Sequence, residues 1–163
     1  RGFRRDILGK LGKALGGGLL PVSAVLAREE VMAVFTPGDH GSTFGGNPLA
    51  AAVGDTALQV LVDEKLSERA AEQGAVLLER LHALRHPAIR DVRGKGLLVG
   101  VEIDPGFASA RTVCEGLLHE GVLSKDTHGT VVRFAPPLVI GAREIGDAVA
   151  ALGRALERLG KAP

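Results

Sequence analysis

Lys13, in Gly12-Lys-Ala-Leu-Gly-Gly-Gly18, is the first residue of this chain whose type and setting could do chemistry. An amine attacks a carbonyl only after losing its proton, which a desolvated or cation-flanked pocket favours. Small neighbours also let a bulky ring approach the backbone. Both a Schiff-base role and an ordinary solvated loop lysine fit this spacing. A phosphate-cradling loop does not, because the pattern G-x-x-x-x-G-K-[ST] is broken by Ile7 and Ala14. Arg133 is the second candidate. It interrupts the run Val131-Val-Arg-Phe-Ala-Pro-Pro137, where an arginine either alternates outward to solvent or forks a carboxylate.

Other patterns carry less. Gly94-Lys-Gly-Leu-Leu-Val-Gly100 has one residue too many for a dinucleotide fingerprint and precedes a strand instead of opening a helix. His82 and His86 have the spacing of a two-histidine metal face, but position 83 is Ala and Pro87 follows at once. They read as a solvated helix end. Cys114 falls on an apolar helix face and reads as a small core residue.

The elements that must position these residues differ along the chain. The first 47 residues read as short apolar strands, 22–26 and 31–35, joined by glycine-rich loops. Asn47 as N-cap and Pro48 at the first position open a helical pattern that runs to Pro87, with a break or kink at Asp63-Glu64-Lys65. Beyond residue 90 the order predicted is strand (97–103), helix (capped by Ser109, stopped by Gly121), strand (130–135), helix (145–159). The second half is therefore α/β or α+β.

Composition bounds the function. The chain has 163 residues, 45% hydrophobic and 24% charged, which suits one or two packed domains. A formal net charge of +1 gives no general electrostatic reason to bind nucleic acid or an anionic membrane. No apolar run approaches 18 residues, and Arg1-Gly-Phe-Arg-Arg5 lacks the apolar stretch of a signal peptide. The single cysteine fits a reducing compartment, so a soluble, cytoplasmic protein is expected. The 23 glycines cluster at 9–18 and 38–46, as long binding loops would.

Together these segments resemble the C-terminal part of the class III, pyridoxal-phosphate-dependent aminotransferases, and within them the ornithine aminotransferases. The matching stretches are Leu11-Gly-Lys-Ala-Leu-Gly-Gly-Gly-Leu19, Pro21-Val-Ser-Ala-Val25, Pro37-Gly-Asp-His-Gly-Ser-Thr-Phe-Gly-Gly-Asn-Pro-Leu49 and Val92-Arg-Gly-Lys-Gly-Leu97. Thr127-His128 with Val132-Arg-Phe-Ala-Pro-Pro-Leu138 carries the narrower likeness. The resemblance implies an α/β fold, the C-terminal part of a fold-type-I PLP-dependent transferase. Residues 1–62 would be a remnant of the large PLP-binding domain and residues 63–163 the small C-terminal domain. It implies pyridoxal 5'-phosphate on Lys13, which would also shuttle the substrate proton. Ser42 and Thr43 would reach the cofactor phosphate of the neighbouring subunit in a homodimer. Arg133 would bind a substrate carboxylate, that of 2-oxoglutarate or glutamate, with ornithine as amino donor.

The family also places an acidic residue on the pyridine nitrogen, an aromatic on the ring and a phosphate-binding turn before the lysine. An incomplete chain is therefore implied. Two alternatives stand beside this reading. One is a non-catalytic remnant or subunit-interaction module. The other is a different class III ω-aminotransferase, such as acetylornithine aminotransferase.

Overall fold

A computed structural model describes residues 9–12 and 14–160. The chain divides into two compact units, Arg1–Glu64 and Lys65–Pro163. In the first, β1 (Gly9–Leu11) pairs antiparallel with β2 (Ala24–Leu26), and Ala14 bridges to Val22. The stretch 31–35, expected as a strand, is instead the end of a helical turn, α1 (Glu29–Met32), and the loop after it. Glu29 and Glu30 open that turn, where negative charge meets the positive end of the helix dipole. The long helix α2 (Pro48–Asp63) begins as its sequence dictates. Asn47 Oδ1 accepts the Ala50 N–H at 2.8 Å, and Pro48 occupies the first position.

The second unit carries the core. Helix α3 (Leu66–Ala83) starts after Lys65, whose φ of 50° breaks the path from α2 at the polar stretch. Then come β3 (Ile89–Lys95), β4 (Leu98–Ile103), α4 (Ala110–His119), β5 (Lys125–Thr127), β6 (Val131–Phe134) and α5 (Ala142–Leu159). The strands form one antiparallel sheet in the order β3-β4-β6-β5. Strands β3 and β5 were not among the elements expected, so the order after residue 88 is two strands, a helix, two strands, a helix.

Helices α3 and α4 lie on one face of the sheet, and α5 packs against both. The residues facing them, Val92, Val99, Val101, Ile103, Val132 and Phe134, are buried with Leu77, Leu81, Val113, Leu117, Ile145, Leu152 and Leu156. Each fully buried aliphatic side chain contributes about 1.5–3 kcal/mol. In this unit the 3.6 and 2.0 periodicities agree on one interior. Ser109 Oγ caps α4 by accepting the Thr112 N–H at 3.1 Å. Among the described residues no helix is long and apolar enough to cross a membrane.

Candidate functional site

Lys13 lies outside the described residues. The other predicted site residues fall in different units, Ser42 and Thr43 in the first and Arg133 in the second.

Ser42 and Thr43 stand on the exposed loop between α1 and α2. The loop is pinned at both ends. Thr36 donates its N–H (2.7 Å) and hydroxyl (2.9 Å) to Asp39 Oδ2, which holds that carboxyl below its usual range. Asn47 Nδ2 donates to the Phe44 carbonyl at 2.8 Å while its oxygen caps α2. Between these anchors neither Ser42 nor Thr43 spends its hydroxyl on a described residue, so each keeps a donor to give, the Ser42 side chain lying beside Gly45.

Arg133 is the exposed residue in the middle of β6, with Val132 and Phe134 buried on either side. It therefore faces away from the helices, as alternation predicts. It also makes no side-chain hydrogen bond or ion pair among the described residues, so it is a free fork. The register gives it a setting the sequence did not disclose. Arg133 pairs with Gly100 on one side and with Lys125 on the other, and Gly100 pairs in turn with Arg93. Arg93, Gly100, Arg133 and Lys125 thus form one row across all four strands. A Cβ at Gly100 would stand 3.0 Å from Val131 Cγ1, so the Val131 methyl fills the space that a side chain there would take.

The neighbouring row holds Asp91 opposite Glu102. Arg93 Nη1 donates to Asp91 Oδ2 and Glu102 Oε2, each at 2.6 Å, and these bonds raise the pKa of its guanidinium further. Lys125 contacts Asp126 at 3.4 Å. The row therefore carries a neutralised end around Arg93, an Arg133 without a partner among the described residues, and a Lys125 that contacts Asp126. Only the cross-strand register could have shown this.

The remaining candidates take no part in the row of Arg93, Gly100, Arg133 and Lys125. His82 and His86 line a shallow pocket of about 240 Å³ with Arg85, Arg90 and Asp91, and His86 Nδ1 accepts the Ala88 N–H at 3.1 Å. Among the described residues no group of three or more His, Cys, Asp or Glu could hold a metal ion. Cys114 is a buried free thiol whose pKa is pushed up by burial.

Comparison with known proteins settles the family. The Aminotransferase class-III profile matches residues 2–156. The chain belongs to the class-III aminotransferases. It is 58% identical over 139 residues to an ornithine aminotransferase of Staphylococcus carnosus, covering 85% of this chain and 34% of that one. A second ornithine aminotransferase, from Staphylococcus saprophyticus, is 55% identical over the same length, again 34% of its own. The chain thus spans about a third of the curated relatives it matches.

Among solved structures, Plasmodium falciparum ornithine δ-aminotransferase superposes with a TM-score of 0.87 at 39% identity, over 93% of this chain and 40% of that one. Toxoplasma gondii ornithine aminotransferase, described with partial occupancy of PLP at its active site, gives 0.84 at 46% identity over 92% and 36%. Acetylornithine aminotransferase from Elizabethkingia anophelis gives 0.82 at 46% over 91% and 40%. These class-III neighbours share the α/β architecture.

Class-III aminotransferases work with pyridoxal phosphate, and the donor set present fits part of that group. A phosphate needs donors that carry no competing negative charge. The unspent hydroxyls of Ser42 and Thr43, on a loop whose acid Asp39 is already bonded to Thr36, meet that need.

Proposed function

We propose that this chain is the lysine-bearing and C-terminal part of a pyridoxal-phosphate-dependent aminotransferase. The reaction moves the δ-amino group of ornithine to 2-oxoglutarate, giving glutamate semialdehyde and glutamate. The observation that carries the reading is Arg133, a mid-strand guanidinium without a partner among the described residues and flanked by Lys125. Lys125 has Asp126 beside it, whereas Arg133 has no carboxylate among the described residues, and an anion would complete it. The dicarboxylate 2-oxoglutarate supplies one.

Bound pyridoxal phosphate supplies a carbonyl for the amine and an electron sink for the carbanion. The rest falls to side chains of this chain. The Lys13 amine would take the proton from ornithine Cδ and return it. Ser42 and Thr43 would donate to the cofactor phosphate of a second subunit, which makes the active enzyme a homodimer. Arg133 would fix the acceptor by a two-bond fork to its carboxylate, and a fixed pose is worth more to the rate than its binding energy alone.

Residues 1–62 would be the end of the cofactor-binding domain and 63–163 the small domain. The lone buried thiol supports a cytoplasmic location. The likeness to acetylornithine aminotransferase supports a second reading in which the donor is N-acetylornithine, which still gives up its free δ-amino group.

One assay separates them. In a full-length enzyme carrying this segment, glutamate formation from 2-oxoglutarate should be faster with ornithine than with N-acetylornithine. The reverse order would favour the second reading, and no transfer from either would overturn both.

A further inference from the structure

Resting on the reading of Ser42 and Thr43 as phosphate donors, we propose that Asn47 is a positioning residue: its side-chain amide ties the turn at residues 42–46 to the start of α2, so that both hydroxyls keep one place for the cofactor phosphate. The amide makes two bonds of opposite sense. Its oxygen accepts the Ala50 N–H at 2.8 Å, and its nitrogen donates to the Phe44 carbonyl at 2.8 Å. The first bond caps α2. The second belongs to the loop, because it fixes the backbone one residue after Thr43.

Helix capping alone does not call for an amide. Serine and aspartate cap about as well as asparagine, since the helix asks only for an acceptor. The Phe44 carbonyl asks the same side chain for a donor, and asparagine presents donor and acceptor on separate atoms. The two partners also fix which way the amide faces. Exchanging its oxygen and nitrogen would set N–H against N–H and oxygen against oxygen.

The turn that Asn47 closes has little slack. The Gly45 N–H donates to the Ser42 carbonyl at 3.4 Å. A Cβ at Gly45 would stand 2.9 Å from the Ser42 Cβ, so only glycine leaves Ser42 its present place. Gly46 has φ at 71°, a left-handed conformation that carries the chain on into Asn47. Ser42 is thus set by Gly45, and the backbone beyond Thr43 by Asn47. That matters for a phosphate held by neutral hydroxyls, because a hydrogen bond weakens steeply as its angle closes. Hydroxyls fixed in advance also spare the binding step the entropy of ordering them.

Cofactor binding to the apoenzyme of a full-length protein carrying this segment, measured by equilibrium dialysis, is the test. Asn47→Ser keeps a neutral capping acceptor and removes the amide that donates to Phe44. It should raise the Kd for pyridoxal phosphate about two- to tenfold, the range that one lost hydrogen bond supports. Its Kd for pyridoxal, which lacks the phosphate, should equal that of the wild type, an outcome that general loosening of the fold would not give. The Tm of the apoenzyme should also hold in Asn47→Ser and fall in Asn47→Ala, which loses the cap as well. Gly45→Ala serves if Asn47→Ser does not fold. It keeps the cap, displaces Ser42, and should weaken pyridoxal phosphate with the same selectivity. An unchanged Kd for pyridoxal phosphate in a folded Asn47→Ser variant, or equal weakening toward pyridoxal, would overturn the proposal. The double variant Ser42→Ala/Thr43→Ala checks the reading beneath it. An unchanged Kd for pyridoxal phosphate there would overturn the phosphate role of the two hydroxyls, whatever the Asn47 variants do.

Discussion

Gly74 of α3 lies directly against Gly96 in the β3–β4 turn: a Cβ at Gly74 would come within 2.2 Å of the Gly96 carbonyl oxygen. This contact seats the helix on the hairpin that carries Arg93 and Gly100. Gly96 needs its freedom as well, with φ at 56°.

Gly74→Ala should therefore destabilise the second unit. Overpacking a filled interior costs roughly 1–3 kcal/mol, and an opposing backbone places this case at the upper end. Urea unfolding followed by circular dichroism should show a lower midpoint with little change in slope. A midpoint equal to wild type would contradict the seating of α3.

Glu120 is the second predicted site of sensitivity. Its carboxylate, with only 10% of the side chain exposed, bonds Arg154 at 2.6 Å and also bonds Arg158, tying the end of α4 to α5. The bond from Arg154, more than the presence of Arg158, holds its pKa below the ordinary 4.5. A carboxyl depressed in the folded state stabilises at pH values above its unfolded pKa, and that contribution disappears as pH falls through the folded value. Glu120→Gln should lower Tm at pH 7, and the gap to wild type should close as pH falls below the usual carboxylate range. A gap that stays constant with pH would show that the charge is not responsible.

Arg133 should act on the acceptor. A charge-assisted fork contributes about 1.5–3 kcal/mol, so Arg133→Ala should raise KM for 2-oxoglutarate roughly ten- to a hundredfold in a full-length enzyme carrying this segment. Arg133→Lys should remain impaired, since an ammonium cannot reproduce the planar fork. Unchanged kinetics with both 2-oxoglutarate and glutamate would return Arg133 to a plain solvated role.

Amide exchange should divide the chain. Every buried apolar side chain among the described residues lies at Leu66 or beyond, while Leu19, Phe35, Phe44 and Val62 in the first unit are exposed. Protection measured by hydrogen-exchange mass spectrometry should concentrate in residues 66–159 and be low over 14–62. Equal protection in both units would contradict this.

Much of this architecture was legible in the residues. Asn47-Pro48 and Ser109 start helices because their side chains or rings answer a specific backbone need at a helix N-terminus, a local rule that survives any context. The apolar alternation of β4 could be read because it is a central strand with a full inner row, Val99, Val101 and Ile103. The edge strands could not. β3 turns Asp91, Arg93 and Lys95 outward and buries Val92, so its pattern is mostly charge, and β5 is three residues long. The stretch 31–35 misled because an apolar run of that length does not fix a period. Arg133 was legible as a candidate, outward by alternation and free for a carboxylate. Its row with Arg93, Gly100 and Lys125 was not, because cross-strand register is set by turns and core packing far from the residue itself.

Lys13 is the amine proposed to take up pyridoxal phosphate. Borohydride reduction of a full-length enzyme carrying this segment, loaded with pyridoxal phosphate and then mapped by peptide mass, tests it most directly. A pyridoxyl group is expected on Lys13, which Lys13→Ala should remove and Lys10→Ala should leave in place. A label on Lys10 that survives Lys13→Ala, or no label in this segment, would contradict it.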